Sequence, residues 1–155
     1  MTSVKPSPDP RREAPLIALF EAATRVIGTE LQRRLAASGF DDQRLSQSRI
    51  FGAIPSEGIR LTDLAERLWM TKQAVGEQVD GMERAGYVER RPDPVDARAK
   101  LICFTDKGWR AVDAALAIFD DVEAELAGRF GADRVRAVRE LLTPMLGSDP
   151  FRDPG

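Results

Sequence analysis

The chain has 155 residues, 43% hydrophobic and 31% charged, which is enough for one domain with a core and short for two. It has no histidine and a single cysteine, Cys103; this removes the commonest general base, the commonest transition-metal ligand and any internal disulfide, and suits a reducing cytoplasm. The net charge of -2 does not by itself point to nucleic acid, and no apolar run approaches the roughly 20 residues that cross a membrane.

Met1 to Arg12 is polar, holds three prolines and has no apolar signal core, so residues 1–12 are expected to be a disordered leader. From Glu13 a long helix is expected, with Pro15 tolerated in its first turn. Leu16, Phe20, Ala23, Ile27, Leu31 and Leu35 recur on one face of it. Ser38-Gly39 ends it, since glycine enters the left-handed conformation after a helix without a Cβ clash. Asp41 or Asp42 can cap a second helix carrying Leu45, Ile50 and Phe51, and Pro55-Ser56-Glu57-Gly58 reads as a turn.

Ile59 to Leu61 reads as a brief strand. Thr62 then caps a short helix that packs through Leu64, Ala65 and Leu68, and Thr71 caps the next, whose buried face is Val75, Val79 and Met82. Gly86 ends that helix. Tyr87–Arg91 and Lys100–Phe104 read as two strands around the Pro- and Asp-rich segment 92–99. Thr105 or Asp106 caps a long helix through Gly128, with an apolar line of Trp109, Val112, Leu116, Phe119, Val122 and Leu126. A last helix runs from about Asp133 to Leu146, with Val135, Val138, Leu142 and Met145 on one side. Residues 148–155 are expected to fray.

Leu61 to Phe104 carries the chemistry. Two short helices around a tight turn, the first reading Leu-x-x-Leu-Ala-x-x-Leu, have helix-turn-helix spacing, which any two packed short helices also give. The charged hairpin that follows has a tip stiffened by two prolines and carries Arg98 and Lys100, which serve no core. On the second helix the buried set leaves Lys72, Gln73, Gly76, Glu77 and Asp80 facing outward. Lysine and glutamine near a helix N-terminus can reach base edges, while the helix end itself favours a phosphate.

Gly76 costs about 1 kcal/mol relative to alanine in a helix interior. Two readings account for it: close approach of a sugar-phosphate chain, or tight packing against the neighbouring helix. Asp96 and Arg98 are two apart, so on an extended segment they share a side, and the carboxylate would hold the guanidinium ready for a narrow minor groove. As an exposed pair they would add only about 0–1 kcal/mol to stability. Residues 60–100 balance at 8 basic and 8 acidic side chains, so favourable charge is local, around Arg84, Arg90, Arg91, Arg98 and Lys100.

The Asp-Pro-x-Asp-x-Arg-Ala-Lys loop, the Tyr-Val-Glu-Arg-Arg strand and the Thr-Asp-Lys-Gly start of the next helix make residues 61–108 resemble the winged helix-turn-helix of the multiple antibiotic resistance regulator (MarR) family. The order of helices across 13–147 is also similar. The resemblance implies a mainly α single domain at 13–147. Within it, a winged helix-turn-helix core at 59–104 carries a two-stranded β-wing, and long N- and C-terminal helices at 13–38 and 106–147 serve dimerisation. It further implies a cytoplasmic bacterial transcription regulator, not an enzyme, that binds double-stranded DNA as a homodimer without cofactor or metal. The second helix of the motif would read the major groove and the wing arginine would enter the minor groove. Carried over residue by residue, the DNA-binding set is Thr62, Thr71, Lys72, Gln73, Gly76 and Glu77 on the helices, with Arg91, Asp96, Arg98 and Lys100 on the wing.

Repression is the sense the resemblance implies, although the residues fit activation equally. It also implies release by a small aromatic or anionic effector, held in a crevice between the dimer helices and the winged lobe; Arg49 is the residue offered for an anion. Two positions depart from the pattern. Ala97 stands where many relatives have arginine, and Trp69 occupies a turn position where glycine is frequent, either packed on the wing or exposed beside DNA. Cys103 lies on a strand, unlike the N-terminal cysteine of redox-sensing relatives, and reads as packing. Asp120, Asp121, Glu123 and Glu125 do not share one helix face and read as a solvated surface.

The terminal helices carry long apolar faces that the winged lobe is too small to cover. Burial against a second copy removes that surface from water at about 25 cal/mol per Å². A twofold homodimer is therefore expected, on a pseudopalindromic operator with half-sites about 10 bp apart or a multiple of that. The rival reading is a winged-helix module that scaffolds other proteins without touching DNA, favoured by the zero charge balance of residues 60–100. An enzyme would have only carboxylates, none visibly paired for acid-base work.

Overall fold

The computed structural model of the chain describes residues 13–146; the expected leader at 1–12 and the frayed tail at 148–155 lie outside the described residues. Helix α1 spans Leu16–Ala37. It does not start at Glu13, and Pro15 stands before its first turn rather than in it. The proline is extended, with φ -57° and ψ 144°, and its carbonyl accepts from the amides of Ala18 and Leu19 at 2.9 and 3.2 Å. A single 3-10 turn at Leu45–Gln47 leads into the short helix α2, Ser48–Phe51. Neither Asp41 nor Asp42 caps it. Asp42 instead accepts from Lys107 Nζ at 2.7 Å and from the Tyr87 hydroxyl, and these distant partners displace the local cap.

Strand β1, Ile59–Arg60, runs straight into helix α3, Leu61–Leu68. Thr62 is therefore in the first turn and is not the cap. Antiparallel pairing of Ile59 with Ile102 and Arg60 with Leu101 holds the backbone extended up to Arg60, and the helix begins at the next residue. Helix α4, Lys72–Arg84, starts at the Thr71 hydroxyl, which accepts from the Ala74 amide at 3.2 Å. Val75, Val79 and Met82 are fully buried beneath it, beside Leu64, Ala65 and Leu68 of α3.

The wing strands are β2, Val88–Pro92, and β3, Lys100–Phe104. Their register runs from Val88 opposite Phe104 to Pro92 opposite Lys100, and β1 pairs on the other side of β3, giving the order β1-β3-β2. Thr105 then caps helix α5, Asp106–Phe130, by accepting from the Gly108 amide at 3.1 Å. A Cβ at Gly108 would overlap the Tyr87 carbonyl oxygen, so glycine is what lets α5 lie directly on the start of the wing. Helix α6 spans Ala132–Leu142 and gives way to a 3-10 turn at Thr143–Leu146, because Pro144 cannot continue an α-helix.

Two cores result. The large one joins α2, α3, α4, the sheet and the start of α5 around Ile50, Leu64, Val79, Tyr87 and Ile102. The small one consists of Leu31, Leu35 and Ile118, where α1 crosses α5. Beyond it the expected apolar faces are exposed in a single chain: Leu16 on α1, Leu116 and Phe119 on α5, Val138 on α6, which buries no residue at all, and Met145 on the 3-10 turn after it. The architecture is mainly α, a winged helix-turn-helix lobe on a stem of terminal helices. No helix among the described residues is long and apolar enough to cross a membrane.

Candidate nucleic-acid interface

The N-terminal turn of α4 faces solvent on its outward side. Thr71, Lys72, Gln73 and Glu77 are all exposed, and the amide of Gln73 donates to Glu77 Oε1 at 3.3 Å, one turn on. The free amides of this turn add the positive end of the helix dipole. Gly76 lies on the same outward side. A Cβ there would meet only Leu61 Cδ2, at 3.7 Å, which is an ordinary contact. Packing inside the chain therefore does not require glycine at this position, which leaves the reading of an outside approach.

The wing is pinned from inside. Asp93, buried at its base, accepts from Arg60 Nε at 2.7 Å, from the Val95 amide at 2.8 Å and from the Asp96 amide at 3.4 Å. These bonds hold its carboxyl below the usual carboxylate range, the Val95 amide first and the Arg60 guanidinium next. The sequence reading missed both Arg60 and Asp93. The signal for Asp93 was present, since an aspartate before proline commonly accepts from the backbone two residues on.

Asp96 does not hold the guanidinium of Arg98. Its Oδ1 accepts from the Arg98 backbone amide at 3.0 Å, because residues 97–98 form a turn and the extended geometry that would align the two side chains is absent. Arg98 is left exposed at the tip. Lys72, Arg98 and Lys100 make no ion pair among the described residues. Arg91, in contrast, pairs with Glu89, and Arg90 pairs with Asp80, at 2.6 Å, and with Glu83. Of the basic residues named from sequence around the wing and α4, Arg84 is likewise outside any ion pair among the described residues, so Lys72, Arg84, Arg98 and Lys100 carry charge with no carboxylate partner.

Thr62 from α3, Lys72 from α4 and Lys100 from β3 line one depression of about 270 Å³, with Arg60 and Arg90 on its walls. Glu77 lies elsewhere, on a hollow of about 530 Å³ shared with Arg44 and Arg84. A third, largely apolar cleft of about 220 Å³ sits between α1, α2 and α5, lined by Leu31, Leu35, Gln43, Phe51, Val112 and Phe119 among others. Arg49 does not line it; its guanidinium donates to the Leu68 carbonyl at 3.1 Å. Cys103 is buried on β3 opposite Glu89, as packing requires. Glu123 and Glu125 pair with Arg139 and Arg34.

Comparison with known proteins agrees with this geometry. A family model described as MarR family matches residues 38–99. The chain is 31% identical over 91 residues to the transcriptional regulator HosA of Escherichia coli, which covers 59% of this chain and 67% of that protein. The reduced form of MarR from E. coli superposes with a TM-score of 0.73 at 25% identity, over 88% of this chain and 99% of that one. The MepR–DNA complex of Staphylococcus aureus superposes with a TM-score of 0.66 at 26% identity, over 86% and 98%.

Proposed function

The chain belongs to the MarR family of transcriptional regulators, which are not enzymes, and we propose that it works as a homodimer that binds a pseudopalindromic operator and represses the adjoining gene. One observation carries the DNA-binding site: α3, α4 and β3 bring Thr62, Lys72 and Lys100 around a single depression, with the unpaired Arg98 projecting beyond it. A structurally similar protein, MepR, has been solved bound to an oligodeoxyribonucleotide. In this reading the first turn of α4 faces base edges, with Gln73 and Lys72 as donors, and Arg98 enters the adjoining minor groove, where the potential is most negative. Thr71 and Thr62 face phosphates.

Two copies joined through α1, α5 and α6 would present two such lobes at a spacing of about one helical turn of DNA or a multiple. Repression follows where the operator overlaps a promoter. The apolar cleft is the place for an effector. With no Lys or Arg among its lining residues, it favours a neutral aromatic over an anion. A ligand there acts only through its different affinity for the two lobe spacings. Thermal shift should therefore respond to phenols more than to phenolic acids.

The test is selection of duplexes from an unbiased library in low-salt buffer, followed by anisotropy titration of the selected sequence. Affinity is expected to fall steeply between 50 and 200 mM salt (about 10³-fold or more for six or so phosphate contacts) through counterion release. The pairing of Arg60, Arg90 and Arg91 with carboxylates favours the rival scaffold reading. A folded protein that prefers no duplex would overturn the DNA-binding reading and leave that rival standing.

A further inference from the structure

We propose that Trp69 is a further DNA contact, its indole lying against the deoxyribose edge of the strand beside the groove that α4 enters. The inference rests on the DNA-binding reading above. Trp69 closes α3 at φ 54° and ψ 43°, and it is the one non-glycine residue with positive φ among the described residues. For an L-residue this conformation crowds Cβ against the following carbonyl, and glycine removes the conflict. A bulky side chain kept in such a place is strain of the kind that accumulates at binding sites.

Stability does not explain the indole. Trp69 is 94% exposed, more than any other large apolar side chain described, and no aromatic partner stacks on it. Its position does explain it. With Thr62, Glu66, Met70 and Lys72 it lines a depression of about 440 Å³, and Thr62 and Lys72 also line the neighbouring depression that holds Lys100. The exposed ring is therefore continuous with the proposed interface.

Beside it stands Lys72, a cation with no carboxylate partner among the described residues. A sugar-phosphate chain matches that pair, with an apolar ribose face for the indole and an anion for the ammonium. Glu66 repels phosphate and confines it to the Lys72 side. An apolar protein partner would bury Lys72 without a counter-charge, which is costly.

The test uses the full chain and a duplex selected by the wild type. Trp69→Gly is expected to lower affinity about tenfold, roughly what half-burying a large apolar side chain supplies. Its Tm should equal or exceed that of wild type, because glycine relaxes the left-handed position. Its salt slope should keep the wild-type value, since an indole displaces no counterion, whereas Lys72→Ala should flatten it.

In a Trp109→Phe background Trp69 is the sole tryptophan, and its emission should shift to the blue and lose iodide quenching when duplex is added. Wild-type affinity in Trp69→Gly, or unchanged quenching at saturating duplex, overturns the proposal and leaves the DNA-binding reading standing. A wild type that selects no duplex overturns both.

Discussion

Leu141→Glu probes the pairing of two copies most directly. Leu141 is 57% exposed on α6, as is Val138 three residues before it, at 52%. If two stems meet there, the substitution removes about 1 kcal/mol of burial per copy, half of what a fully buried leucine contributes. It also leaves an unpaired carboxylate whose burial costs about 2 kcal/mol or more. A twofold axis doubles both effects to about 6 kcal/mol, or about 10⁴-fold in the dimer dissociation constant. The single chain hardly notices, since α6 buries no residue and glutamate and leucine have similar helix propensity. Sedimentation velocity between about 0.1 and 50 μM should find wild type as a dimer and the variant as a monomer with unchanged circular dichroism. A variant that sediments with wild type would remove α6 from the pairing surface, and a monomeric wild type would end the homodimer proposal.

Arg98→Ala should weaken operator binding by about 1–3 kcal/mol and reduce the salt slope by about one, with no change in Tm; an unchanged anisotropy titration would take the wing out of the mechanism. Gly76→Ala should stabilise the fold by up to about 1 kcal/mol, since the new methyl meets only Leu61 at an ordinary distance. The same variant should bind operator less tightly if α4 approaches a DNA strand closely, and equal affinity would sink that account of the glycine. Acid should destabilise the protein through Glu30, held at about 2 by Arg33 and Arg34, and through Asp42, held low by Lys107 and then Tyr87. Their folded values lie below their unfolded ones, so the stabilisation is complete above about pH 4.5 and is lost as pH falls toward 2. With no histidine in the chain, a Tm step near pH 6.5 would contradict this assignment.

What could be read from sequence was what depends on near neighbours. The Thr71 and Thr105 caps need only a hydroxyl three residues ahead of a free amide, and the buried line of Val75, Val79 and Met82 needs only the helical period. Asp42 failed as a cap because its partners, Tyr87 and Lys107, are 45 and 65 residues away. Thr62 failed because a strand pairing with Leu101 sets where α3 begins. Arg60 and Asp93, 33 residues apart, form the pin of the wing, and no local pattern connects them. Asp96 was expected to hold the Arg98 guanidinium, but a turn in place of an extended segment gives the carboxylate the Arg98 backbone amide instead.

Arg60 ends β1, precedes α3 and grips Asp93 at the root of the wing. A push on the hairpin is therefore delivered to the first turn of α3 with no slack joint between them. Each lobe can be pictured as one jaw, its point and its rod tied together at the root. In the proposed dimer, control would act on the gauge between two such jaws, so that a duplex would be either gripped on both sides or let go.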